Sequence, residues 1–186
     1  MNVQNEENYC LTPDDINKIV GSYCLLIKYP DLSNYDYNSF MKLFKNNKEG
    51  FILFFETKNA NVGHYECCFK NSQGINFFDS YGLYPDKAES YLSANKRIQL
   101  GETKPLLTKL LNECMDNGWK CRYNNIEYQQ MDSNISTCGR YCAVRLKNSH
   151  LTDSQFYAYM ESMKKRFDAK TMDEAITKLT SNLIGK

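Results

Sequence analysis

The chain has 186 residues, 42% of them apolar and 24% charged, the balance of a folded globular protein and not of a disordered or fibrous one. That length suits one domain over residues 1–186, and no stretch approaches the about 18 uninterrupted apolar residues of a membrane-spanning helix, so no membrane partner is expected. Twenty-three Lys and Arg against 22 Asp and Glu leave a net charge of +1, which leaves no whole-molecule field suited to nucleic acid, only room for a local patch.

Near the start, Thr12-Pro13-Asp14-Asp15 supplies a cap, a first-turn proline and two acids ahead of Ile16, Ile19 and Val20, and predicts a short helix. A second helix is expected within Tyr35–Phe44. Phe51–Phe55, His64–Phe69 and Ile75–Asp79 then read as strands, parted by Asn61-Val62-Gly63 and Asn71-Ser72-Gln73-Gly74, and the short second connection predicts an antiparallel hairpin. After Pro105, Leu107, Leu110, Leu111 and Cys114 fall at i, i+3, i+4 and i+7, a helix placed to end at Gly118. A fourth strand is expected at Cys121–Tyr128. From Cys138 onward the pattern is helical, with Thr152-x-x-Gln155 and Thr171-x-x-Glu174 as capping boxes and apolar stripes at Phe156/Met160/Met163/Phe167 and Met172/Ile176/Leu179/Leu183. The fold class is α+β: a small antiparallel-rich central sheet flanked by N- and C-terminal helices.

The cysteines number eight, but a chain this rich in apolar sequence needs no disulfide staples, and with a polar, acidic start at Met1–Tyr9 reduced thiols in an intracellular setting are expected. No metal and no cofactor is expected, since there is no C-x-x-C pair and only His64 and His150 could complete a site. A thiol nucleophile needs a base, and His is the side chain whose ordinary pKa lies near neutrality. His150 sits in the polar connection Asn148-Ser149-His150 and reads as a surface residue. His64 opens one strand and Asp79 closes the next. In an antiparallel pair those two ends are neighbours, so the carboxylate can fix the imidazole tautomer. Cys138 is the thiol best placed to join them: polar residues Asn134–Thr137 give way there to a helix, whose first turn favours thiolate through its dipole and free N–H groups. Gly139 would let a substrate backbone come close. Cys142, one turn on, and Cys67 and Cys68, on opposite faces of one strand, read as packing residues. Spacing alone yields a candidate set, with an ordinary buried thiol at Cys138 as the competing reading.

The ordered set Gly63-His64-Tyr65, Phe77-Phe78-Asp79-Ser80-Tyr81-Gly82, Gln129-Gln130 and Cys138-Gly139-x-x-Cys142 resembles the adenovirus-type (adenain-like) maturation cysteine proteases and their relatives that process ubiquitin-like proteins. The resemblance spans about residues 51–148. Size and composition, with 20 Asn and 18 Lys against 5 Arg, are most similar to proteases of virophages, polinton-type elements and large DNA viruses. It implies an adenain-like fold and peptide hydrolysis through a thioester acyl-enzyme, with Cys138 as nucleophile, His64 as general base and then acid, and Asp79 orienting His64. A Gln side chain with backbone N–H would form the oxyanion hole. Gln129 and Gln130 both stay open for that role, because they stand nine and eight residues before Cys138 where the family usually shows six or seven, which suggests a small insertion in Met131–Thr137. Tyr65 replaces a frequent Trp, and Asp79 stands where adenovirus enzymes have Glu.

The substrates so implied are capsid or other virion precursor polypeptides, cut beside small residues, often Gly, during particle maturation in the virion and the host-cell cytoplasm (viral factory). An activating peptide on the sheet edge or at a surface cysteine such as Cys10 is compatible with the resemblance. Strong nucleic-acid binding is not expected, and the basic cluster Lys164-Lys165-Arg166 reads as a solvated helix end. The alternatives are a processing or deconjugating protease for ubiquitin-like proteins, an acyltransferase on the same thiol–imidazole site, and a catalytically dead virion scaffold protein on the same fold.

Overall fold

In a computed structural model of the protein, residues 3–46, 50–57 and 62–185 are described. Five strands form one sheet in the order β1 (Leu25–Lys28), β2 (Phe51–Glu56), β3 (Gly63–Asn71), β4 (Gly74–Phe78) and β5 (Cys121–Tyr123). The three central strands are antiparallel, with Phe55 opposite His64 and Cys67 opposite Phe78, and the edge strands join in parallel, Leu25 beside Phe51 and Ile75 beside Cys121. The helices are α1 (Val3–Glu7), α2 (Pro13–Val20), α3 (Tyr37–Asn46), α4 (Ala94–Leu100), α5 (Leu106–Asp116), α6 (Cys138–Lys147), α7 (Asp153–Arg166) and α8 (Met172–Ile184). The class is α+β.

Helices from both ends of the chain cover one face of the sheet, where Ile52, Cys67, Phe69 and Phe78 pack with Ile16 and Ile19 of α2, Tyr141 and Cys142 of α6, Phe156 of α7 and Ile176 of α8. On the other face Phe51, Leu53, Phe55, Cys68 and Phe77 pack with Phe40 and Phe44 of α3 and Leu107 and Leu110 of α5. A sheet covered on both faces buries every residue of a central strand, which is why Phe51–Phe55 is an unbroken apolar run instead of an alternating one. Cys67 and Cys68 fall into separate clusters, as their adjacency requires, and the eight cysteines are free thiols. No helix among the described residues is long and apolar enough to cross a membrane.

The helix starts follow their capping residues. Thr12 and Asp15 form a full capping box on α2, and Thr152 and Gln155 form one on α7. On α8 only half of the expected box forms: Thr171 accepts from the Glu174 amide at 3.0 Å, while the Glu174 carboxylate turns to the Lys170 amide at 2.8 Å. The expected stripe on α8 holds at Met172, Ile176 and Leu179, which pack on the core, and fails at its last position. Leu183 is 45% exposed, and the buried face reads Asp173, Ile176, Thr177, Thr180, Ser181 and Ile184. On this face Thr180 meets a fully buried cation, Arg140 of α6, which donates from Nη1 to Thr180 Oγ1 at 2.6 Å, as an interior guanidinium needs hydrogen-bond acceptors.

Strand β5 stops at Tyr123 instead of running to Tyr128, since Asn124 leaves the ladder and clamps the backbone of Asp79. Asn124 Nδ2 donates to the Asp79 carbonyl at 2.7 Å and its Oδ1 accepts from the Asp79 amide at 2.9 Å. Strand β1 and helices α1 and α4 were not foreseen from the sequence. In the expected turn at Asn61-Val62-Gly63, Asn61 lies outside the described residues.

Candidate active site

His64 is the second residue of β3, and Asp79 follows the last residue of β4. The antiparallel register brings them together, with His64 Nε2 3.2 Å from Asp79 Oδ1. The same oxygen accepts the Tyr81 amide at 2.7 Å, so a tight turn and the Asn124 clamp together fix the carboxylate. Both His64 and Asp79 are buried, Asp79 completely.

The strand start is set by Gly63. A Cβ at that position would lie 1.8 Å from the Phe55 carbonyl oxygen, far inside contact distance, so β2 and β3 can approach there only across a bare Cα. Gly63→Ala is expected to destabilise the protein by at least about 2 kcal/mol, read as a lowered urea midpoint with an unchanged slope, because backbone and not a flexible side chain must yield.

Cys138 is the first residue of α6 and is buried. Thr137, at the N-cap, makes no side-chain cap bond, because its hydroxyl instead donates to Asp173 Oδ1 of α8. Burial alone would raise the Cys138 pKa, but His64, together with the Tyr65 and Gly139 backbone, holds it below the ordinary thiol range. For His64 burial alone would lower the pKa, and the Asp79 carboxylate, aided by Cys138, holds it well above the usual imidazole value. These opposite shifts favour a thiolate at Cys138 and an imidazolium at His64. Such a pair combines a nucleophile and a proton donor, which is the equipment for attack on an acyl carbon. By contrast, burial pushes the Cys142 and Cys68 thiols well up, and Cys114 up to about 12, so these stay protonated and inert.

Cys138, His64, Tyr65, Tyr81 and Gln129 face one cavity of about 510 Å³. Of the two glutamines left open by the sequence, Gln129 is buried and lines this cavity, whereas Gln130 is exposed and is held by its backbone, its amide donating to Asp173 Oδ2 at 3.0 Å and its carbonyl accepting from the Asp132 amide at 2.9 Å. Gln129 Oε1 accepts from Ser80 Oγ at 2.8 Å, and its Nε2 donates to Tyr81 Oη at 3.1 Å and to the Ile135 carbonyl at 3.2 Å. The Tyr128 and Gln129 amides both donate to the Ser80 carbonyl, so the segment bearing Asp79 also places Gln129.

Three residues of the site were missed by sequence reasoning. The Tyr81 ring stacks on His64 with centroids 4.9 Å apart, besides its bonds to Asp79 and Gln129, and its place two residues after Asp79 was a usable signal. Asn124 and Asp173 had none, being distant in sequence and ordinary in their local setting. Gly139 serves differently from the expectation. A Cβ there would meet Tyr65 Cδ2 at 3.0 Å and Leu11 Cβ at 3.4 Å, so the close approach is by the protein's own side chains. His150 is exposed on the far connection. Among the described residues, His64, Glu66 and Asp79 can each offer a ligand atom to a metal ion, these atoms lying within 4.8 Å of one another. That set escaped a search confined to Cys and His.

No protein-family model matches the chain. The sequence is 31% identical over 176 residues to the uncharacterized protein V9 of Sputnik virophage, covering 94% of this chain and 95% of that protein. Among solved structures it is similar to the C-terminal Ulp1 protease domain in complex with Smt3, the yeast orthologue of SUMO, with a TM-score of 0.39 and 15% identity over 96% of this chain and 80% of that one.

Proposed function

The chain belongs to the family of the uncharacterized protein V9 of Sputnik virophage, and on that premise we propose that it is a viral cysteine protease of the adenovirus type, one protease domain over residues 1–186, that cuts capsid or other virion precursor polypeptides during particle maturation. The observation that carries this reading is the His64–Asp79 pair at 3.2 Å on the same cavity as Cys138 and Gln129.

The Cys138 thiolate attacks the scissile carbonyl carbon, and the carbonyl electron pair moves to oxygen. Gln129 Nε2 is poised to hold that oxyanion by exchanging one of its present acceptors, Tyr81 Oη or the Ile135 carbonyl, for it. The His64 imidazolium protonates the leaving amine as the C–N bond breaks, which leaves a thioester on Cys138 and a neutral imidazole. His64 then removes a proton from water, which hydrolyses the thioester and restores the pair. Asp79 keeps Nε2 occupied throughout, so that the other ring nitrogen serves the sulfur. The site of action in this reading is the virion and the host-cell cytoplasm.

The test is incubation with virion precursor polypeptides and, separately, with ubiquitin-like proteins carrying C-terminal extensions, each with and without candidate activating peptides, read by intact mass. Discrete cuts in a capsid precursor that vanish with Cys138→Ala are expected. Cleavage of ubiquitin-like tails alone would replace capsid maturation by a deconjugating role, and no cleavage of either would leave a virion scaffold on this fold.

A further inference from the structure

Glu66 is a fully buried acid that the chemistry above does not use. It lies two residues beyond His64 on the same face of β3, opposite Leu53 of β2. Neither of its carboxyl oxygens has a hydrogen-bond partner among the described residues, and the same is true of Asp79 Oδ2, the one oxygen of that carboxylate that binds neither His64 nor Tyr81. One oxygen of Glu66, one of Asp79 and one ring nitrogen of His64 lie within 4.8 Å of one another.

Two ionised carboxylates this close, both at zero exposure, repel strongly in a poorly screened interior. The groups that act most strongly on Glu66 are Asp79, His64, Asp86 and Cys138, and of these only His64 can be positive. Asp86, for its part, already accepts from the Tyr29 hydroxyl and the Leu107 and Thr108 amides. The single cation is shared with Asp79 and with the thiolate, so the cluster has room for one negative carboxyl beside the His64–Cys138 pair.

A divalent cation or a proton can supply the missing positive charge. A cation taking His64 Nε2 as a ligand would have to displace the His64–Asp79 bond and reach two groups of zero exposure, while a proton needs neither. A protonated carboxyl also turns an orphan acceptor into a donor, which is what Asp79 Oδ2 lacks.

We propose that Glu66 is a positioning residue of the site, a neutral carboxyl that donates its proton toward Asp79 and so fixes the carboxylate that orients His64. The inference rests on the protease reading of the same residues. Burial, with Asp79 next, holds the Glu66 pKa well above the usual carboxyl value, in the direction the proposal requires.

The test compares wild type with Glu66→Gln and Glu66→Leu. Gln keeps a donor in the same shape and cannot ionise, while Leu removes it. Isotope-edited infrared difference spectra of wild type against Glu66→Gln are expected to show a protonated carboxyl at about pH 7, the pH at which an ordinary carboxyl is ionised. Since the folded pKa is raised, the folded state keeps a proton that the unfolded chain gives up, and wild type should lose stability relative to Glu66→Gln as pH rises from about 5 to about 8. Cys138 alkylation in Glu66→Gln should keep the wild-type pH profile, and in Glu66→Leu it should slow roughly tenfold or more, as for loss of a partner that orients a site residue. An ionised Glu66 in the spectra, or Gln as impaired as Leu, overturns the proposal. So does a change of alkylation rate or melting temperature on adding EDTA or Zn²⁺, which would place a cation there instead. If Glu66→Leu fails to fold, the spectra and the Gln pH profile decide alone. A wild-type Cys138 that reacts like a free thiol would sink the protease reading, with the infrared result still deciding the charge of Glu66.

Discussion

Replacing His64 with alanine is expected to slow the alkylation of Cys138 by iodoacetamide on the order of tenfold to a hundredfold at about pH 6. A free thiol titrates near about 8.5, so at that pH fewer than about one in a hundred would be ionised, whereas a thiolate paired with imidazolium is ionised almost throughout. The gain is partly offset, since a thiolate of lower pKa is a weaker nucleophile by about half of the shift on a logarithmic scale. Without His64 the upward push of burial on the Cys138 pKa would lose its main opponent. Cys10 is exposed and serves as the reference thiol in the same peptide map, while the buried Cys68, Cys114 and Cys142 stay unmodified. Alkylation and cleavage should part at high pH. The thiolate persists there and alkylation keeps its plateau, but cleavage falls once His64 loses the proton it must give to the leaving amine. Because Asp79 and Cys138 hold the His64 pKa well above its ordinary value, that fall lies on the alkaline side of neutrality. Equal alkylation rates in wild type and His64→Ala at about pH 6 would mean that the two side chains do not work as a pair.

What the sequence made legible was local. Helix α2 announces itself by Thr12 and Pro13, α5 by a four-residue apolar spacing, and the β3–β4 hairpin by Asn71-Ser72-Gln73-Gly74, because caps, periodicity and turns are decided within a few residues. The proximity of His64 and Asp79 was legible for the same reason, as a consequence of one hairpin. Elements whose stability comes from across the fold were hidden. Strand β1 is four residues long and owes its state to the parallel ladder with β2, and α8 turns Thr180 inward, where it meets an arginine 40 residues away. Between Gln129 and Gln130 periodicity could not choose. The choice follows from Ser80 and Tyr81, which gather the Gln129 side chain, and from Asp173, which holds Gln130 by its backbone and leaves the side chain in solvent.

Asp173 carries the second large effect, because it ties the last helix to the loop that leads into Cys138. It is fully buried in the first turn of α8, accepting the Thr137 hydroxyl on one oxygen and the Gln130 amide on the other. Those two donors bracket the segment 131–136, whose far end is also pinned where the Ser136 amide donates to the Glu7 carbonyl at 2.7 Å. Asp173→Ala leaves the buried Thr137 hydroxyl and the part-buried Gln130 amide without this acceptor, and at about 1 to 3 kcal/mol for a buried unpaired group it should cost on the order of 1 to 3 kcal/mol in urea denaturation. The loss would not be confined to stability. With Gln129 and Cys138 at the two margins of a loosened loop, Cys138 alkylation at about pH 6 should fall roughly tenfold or more in the protein that still folds. Asp173→Asn separates the two effects, since its one remaining carbonyl oxygen can satisfy Thr137 or Gln130 but not both, and an intermediate loss is expected. The pH dependence has a definite sign. Burial raises the Asp173 pKa against the pull of Thr137 and Gln130, so its contribution is greatest in acid and declines as pH climbs from the ordinary aspartate range through the raised value. Asp173→Asn should flatten that decline. A variant that loses stability while Cys138 keeps its full reactivity would make Asp173 a support of α8 alone, with no hold on the nucleophile.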